Sequence, residues 1–137
     1  MNDRRDFLQL AALLAVAAPA TAQAADAAPK ARGEIARYPL GGALAGNDAV
    51  LVDLIAQPGV ATGAAGHRHP GMVMGYVLES AYAFAINGEA PKIINAGETF
   101  FEEAGALHTG TGSADATKPA HLLAFMIVPT GQPLVLP

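Results

Sequence analysis

Cysteine is absent from all 137 residues, so no disulfide staples this chain and no thiolate serves as nucleophile or metal ligand. Any metal must therefore be held by imidazole, carboxylate, thioether or water. Tryptophan is absent too, and only 3 tyrosines and 5 phenylalanines are present, which argues against a stacking platform for bases or extended sugars. An excess of positive charge is also missing. Lysine and arginine number 8 against 12 acids, a net charge of −4 with no cluster of one sign. That pattern lacks the electrostatic footprint of a nucleic-acid or anionic-lipid binder, and neither partner is expected. Long apolar runs are lacking as well. The stretch from Leu10 to Ala18 falls short of the about 20 residues that span a bilayer.

What is present begins with an address. Residues 1–24 combine a charged start, the short apolar run and Pro19-Ala20-Thr21-Ala22-Gln23-Ala24, the layout of a cleaved secretory signal. Arg4-Arg5 followed by Asp6-Phe7-Leu8 resembles the twin-arginine export signal, with Asp3 where Ser or Thr is usual. The resemblance implies a bacterial route that carries folded proteins, a periplasmic or secreted location and no stable membrane insertion after cleavage. Residues 25–40, rich in alanine with Pro29, Lys30 and Arg32, read as a flexible lead-in. Residues 41–137 then form one domain, long enough for a single core.

From Ala49 onward the chain breaks into short apolar runs punctuated by Gly, Pro and Asn. Strands are expected over 49–56, 72–79, 82–86, 92–94, 99–101, 107–109 and 121–128. Tyr82, Phe84 and Ile86 alternate with Ala83 and Ala85, a period of two with one bulky face. Asn87-Gly88 is a tight-turn signal. No segment after residue 40 carries a 3.6-residue apolar stripe, and the close spacing of the runs predicts an all-β sandwich or barrel.

Three of the four histidines stand in telling places. On a strand, His67 and His69 point to one face about 6–7 Å apart, within reach of one metal ion. They follow a Gly/Ala-rich stretch and precede Pro70-Gly71, where a loop meets a strand and binding residues concentrate. The segment from His67 through Gly75-Tyr76-Val77-Leu78-Glu79 to Asn87-Gly88-Glu89 resembles the first motif of the cupin superfamily. Asn95-Ala96-Gly97-Glu98-Thr99-Phe100 and Gly105-Ala106-Leu107-His108 resemble the second. The resemblance covers roughly residues 48–129 and implies a cupin double-stranded β-helix, a conical jelly-roll barrel of two antiparallel sheets with a metal in its mouth.

Carried over residue by residue, the resemblance assigns His67, His69 and His108 as metal ligands. The glutamate of the first motif has no match: its two allowed positions hold Val73 and Met74. Glu79 lies near 20 Å from that point along a strand, too far to substitute. The second motif departs as well, with Glu103 where proline is usual and Gly112 where asparagine is usual.

Three readings follow. In the first, three imidazoles hold a divalent transition metal (iron, manganese, zinc, nickel or copper), water fills the open positions, and the metal keeps its full double charge as a Lewis acid. Such a protein would be a metal-dependent oxygenase or isomerase of a small organic molecule. In the second, the site is metal-free and forms an apolar pocket lined by Val73, Met72 or Met74, a small-ligand-binding or sensing module without catalysis. In the third, Met74 supplies a thioether as fourth ligand, which favours copper. His121 reads as solvent-facing at a strand start, with a second-shell role as the alternative. Glu102 and Glu103 read as a solvated rim, Glu103 being the one able to fold toward a metal. No general base stands out, and edge strands leave a homodimer open.

Overall fold

A computed structural model describes residues 33–59, 66–110 and 112–136. The expected signal segment 1–24 and residues 25–32 of the lead-in lie outside the described residues. The remainder of that lead-in is not a linker. Gly33–Pro39 forms strand β1, paired antiparallel with β2 (Asn47–Ala56). Pairing covers an edge of β2 that would otherwise leave backbone groups open. Arg37 fastens it, donating to Glu34 on its own strand and to Asp48 on β2, each at 2.8 Å.

Seven further strands follow: β3 (His67–Arg68), β4 (Met72–Glu79), β5 (Ala81–Ile86), β6 (Lys92–Asn95), β7 (Thr99–Glu102), β8 (Leu107–Gly110) and β9 (Ala120–Pro129). They assemble into a five-stranded sheet, ordered β1-β2-β9-β4-β7, and a four-stranded sheet, ordered β3-β8-β5-β6. Every ladder between these strands is antiparallel. The extended stretch from Met72 to Ile86 is thus shared between sheets. The chain crosses at Ser80, whose φ of 64° lies in the left-handed region. Asn87 and Gly88 then turn with φ of 53° and 78°, closed by Glu89 N–H donating to Ile86 C=O at 2.9 Å. That is the tight hairpin geometry which Asn-Gly favours.

Alternation sorts side chains to the two faces of the large sheet. On β4, Val73, Gly75 and Val77 are buried, whereas Met74 and Tyr76 are exposed. On β9, Leu122, Ala124, Met126 and Val128 are buried with only partly buried residues between them. Gly75 must lack a side chain, since a Cβ there would come 2.0 Å from the Phe100 ring opposite it on β7. Two apolar clusters result. One gathers Val50, Val52, Val73, Ala124, Met126 and Val128; the other gathers Val77, Tyr82, Phe84, Phe100, Ala120 and Leu122. Burying a side chain such as Leu122 stabilises the fold by about 1.5–3 kcal/mol. Between the clusters a cavity of about 540 Å³ remains.

Candidate metal centre

The structure brings His67, His69 and His108 together. His67 on β3 and His108 on β8 are direct cross-strand partners, with ring centroids 5.0 Å apart. His69 follows β3, and its ring lies edge-on to His67 at 4.8 Å, their Nε2 atoms 3.2 Å apart. One nitrogen from each histidine falls within 4.8 Å of the others.

The backbone holds this arrangement from both sides. Arg68 N–H donates to Leu136 C=O at 3.0 Å, Leu136 N–H returns a bond to Arg68 C=O at 2.7 Å, and Gly105 N–H donates to His69 C=O at 2.9 Å. Segment 134–136 also orients a ring: His69 Nδ1 lies 2.6 Å from the Leu134 carbonyl oxygen. A carbonyl can only accept, so Nδ1 carries the proton and Nε2 presents its lone pair to the cavity. This is the carbonyl–histidine support that commonly fixes metal-ligating imidazoles. On His108, Nε2 meets the Tyr82 hydroxyl at 3.2 Å, and Nδ1 faces inward without a hydrogen-bond partner among the described residues.

Sequence reasoning misplaced one residue that matters. Glu102 is not on a solvated rim: it is 2% exposed, and its partner in the ladder is Val73. Glu102 Oε1 stands 3.5 Å from His108 Nδ1, and Oε2 stands 3.8 Å from His69 Nε2. Glu103 is exposed, as its reading as a solvated rim has it, and does not fold inward. The available signal was parity, because Glu102 is two residues after the inward Phe100 and shares its face. Adjacent Phe101 obscured it.

Met74 is likewise corrected. It is 48% exposed on the outer face, one residue out of phase with Val73, and so cannot reach the histidines. Met72 is also out of phase with Val73 and does not line the cavity, whereas Val73 does. His121 sits on the outer face, where its Nε2 meets Asp53 Oδ1 at 2.8 Å. Glu79 is exposed at the end of β4.

Burial sets the electrostatics. It pushes His108 down to about 4, with the neighbouring His67 and His69 adding to the effect. His67 is lowered by burial and then by His69. Burial pushes Glu102 up to about 7, and raises Tyr82, with the Glu102 charge adding to it. Neutral imidazoles at neutral pH are the form a metal requires. Unprotonated ring nitrogens, a carboxylate oxygen without a hydrogen bond and an enclosing apolar wall together fit a divalent cation. The donor set also suits one: imidazole accepts iron, nickel, copper and zinc, and a carboxylate extends the range to manganese.

No family model and no curated protein matches the sequence. Solved structures do. A candidate mannose-6-phosphate isomerase from Ralstonia eutropha is 20% identical with a TM-score of 0.52, covering 76% of this chain and 93% of that one. An uncharacterised Klebsiella pneumoniae protein with a double-stranded β-helix domain is 19% identical with a TM-score of 0.51, covering 80% and 89%. A cupin-like protein from Thermotoga maritima is 18% identical with a TM-score of 0.49, covering 57% of this chain; the match spans 56% of that protein's length. Identities at this level speak to architecture alone. With nine strands in two antiparallel sheets among the described residues, and with the Ralstonia and Klebsiella structures as counterparts, the chain has the cupin-type double-stranded β-helix fold.

Proposed function

We propose that this protein is an exported metal-binding cupin whose His67, His69 and His108 hold a divalent transition metal and act on a small organic molecule, as an oxygenase or isomerase. The observation that carries this reading is the convergence of three imidazoles, one nitrogen of each within 4.8 Å of the others, at the wall of a cavity of about 540 Å³. That volume suits a small molecule. When bound, the metal would supply Lewis-acid polarisation of a substrate oxygen. The chain's own residues do the rest. Leu134 C=O orients His69, Tyr82 O–H contacts His108, and Val52, Phe100, Leu122 and Met126 give the cavity apolar walls.

The apolar character of those walls supports a second reading, a small-ligand-binding module without catalysis. Metal analysis separates the two. Untagged protein expressed in metal-replete medium is expected to carry close to one equivalent of a transition metal, lost in a His67→Ala, His108→Ala double variant. Wild-type protein that neither carries nor takes up manganese, iron, nickel, copper or zinc would leave only the binding module. Export is tested by expressing the full chain with and without Arg4→Lys, Arg5→Lys in a bacterium and assaying the periplasm; equal periplasmic amounts would refute a twin-arginine route.

A further inference from the structure

Resting on the metal-binding reading, we infer that Glu102 is a fourth metal ligand, supplied from β7 rather than from β4. The register makes this geometrically direct. In the resemblance, the missing carboxylate belongs to Val73 or Met74 on β4, and of these only Val73 faces the cavity. Glu102 is the residue paired with Val73 across the β4–β7 ladder. Directly opposed side chains share a face with Cβ atoms about 5 Å apart. A glutamate, longer than the gap it must cross, therefore delivers its carboxylate to the same end of the cavity from the neighbouring strand.

The local geometry agrees. The spacings of Glu102 to His108 Nδ1 (3.5 Å) and to His69 Nε2 (3.8 Å) are too long for good hydrogen bonds. Toward His69 and His108 they fall in the range of ligand atoms around one ion, beside the cluster that the three histidines form. With metal–ligand bonds of about 2.1 Å, neighbouring ligand atoms stand about 3 Å apart and opposite ones about 4 Å. The 3.2 Å between His67 Nε2 and His69 Nε2 fits the same pattern. Glu102 Oε2 and His108 Nδ1 are also the two buried side-chain polar atoms without a hydrogen-bond partner among the described residues. Native folds seldom leave such atoms unsatisfied without a role for them. One cation between them would satisfy both.

The added carboxylate changes which metals the site prefers. Three imidazoles alone lean toward copper and nickel, whereas one anionic oxygen added to them improves the fit for manganese and iron. Loss of Glu102 should thus weaken Mn2+ more than Cu2+.

The test uses the untagged, metal-stripped full chain and reads binding directly, Mn2+ by the loss of its free-ion paramagnetic resonance signal and Cu2+ and Zn2+ by calorimetry. Glu102→Gln keeps shape and removes the charge. It is expected to weaken Mn2+ by about tenfold or more, weaken Cu2+ less, and melt no lower than wild type without metal. A double variant, Val73→Glu with Glu102→Val, returns the carboxylate to β4 and is expected to restore Mn2+ binding; it also serves if the single variant misfolds. Mn2+ affinity within twofold of wild type in Glu102→Gln, with His67→Ala abolishing binding, would overturn the role of Glu102 and leave the three-histidine reading intact. Absence of binding by wild type for every metal tried would overturn both.

Discussion

Of the three acids buried in the large sheet, Asp48 on β2 and Glu102 on β7, at 4% and 2% exposure, form the sharpest contrast. Both share the inward parity of an apolar neighbour, Val50 in one case and Phe100 in the other. Their surroundings differ completely. Asp48 Oδ2 accepts from Arg37 Nη1 and Oδ1 accepts from Thr130 Oγ1, each at 2.8 Å. Those two hydrogen bonds, Arg37 first, hold its carboxyl below the usual range. Among the described residues Glu102 has no such support, and burial drives it upward to about 7. The first acid ties β1 and the end of β9 to β2. The second carries an unmet electrostatic cost in the wall of a cavity, and such costs concentrate where binding or catalysis takes place.

The largest effect separating the two acids should come from metal. At a hundredfold excess over its dissociation constant, a bound ion stabilises the native state by about 2.7 kcal/mol. Thermal melts with and without Mn2+ should show that increment in wild type and in Asp48→Asn. The increment should shrink in Glu102→Gln. An undiminished Mn2+ shift in that variant would place the two acids in the same structural class.

Without metal, the two acids should respond to truncation with opposite signs. Glu102→Leu replaces an unsatisfied carboxylate with apolar volume and should raise stability, by about 1–3 kcal/mol. Asp48→Ala removes the acceptor of Thr130 and one of the two carboxylate partners of Arg37, and should lower it. Urea midpoints read both, and two losses would contradict the contrast.

A smaller effect is expected from pH in the metal-free protein. Glu102 is raised from 4.5 to about 7, so its contribution to stability is fully present below 4.5 and lost as pH rises to about 7. His108 is lowered from 6.5 to about 4, so its contribution is present above 6.5 and lost as pH falls to about 4. The two oppose each other between these limits and should flatten the profile. Glu102→Gln removes one arm, and its stability should fall from pH 6.5 to 4 more steeply than that of wild type. Asp48, held below 3.8, stabilises above that value and loses its contribution as pH falls through its lowered pKa. Asp48→Asn should therefore flatten the acid limb.

The smallest effects belong to single hydroxyls. Tyr82→Phe removes the contact with His108 Nε2 and should cost about 1 kcal/mol. Thr130→Val leaves Asp48 with Arg37 as its partner and should shift the urea midpoint less than Asp48→Ala. A larger change in Mn2+ affinity from Tyr82→Phe than from Thr130→Val would show that support of His108, rather than general stability, governs the metal centre.

Much of this could be read along the chain. Strand periods, the Asn87-Gly88 turn and the two-residue spacing of His67 and His69 are local properties, set by backbone sterics and side-chain alternation within a few residues. The resemblance added His108. Parity also held the information that Met74 and Val73 face opposite ways, but not which of the two faced inward. Strand β1 was harder to see. Its formation rests on pairing with β2 and on the Arg37–Asp48 contact across 11 positions, not on any period of its own.

By itself, then, the sequence determined the all-β class, the turn positions and a histidine pair directed to one face, because each follows from local geometry. Only the tertiary structure decided that β7 lies beside β4, opposing Glu102 to Val73, and that Leu134 reaches back 65 positions to orient His69. Strand order and register are set by how the apolar faces pack together, and that packing carries a carboxylate to a place no linear motif would assign it.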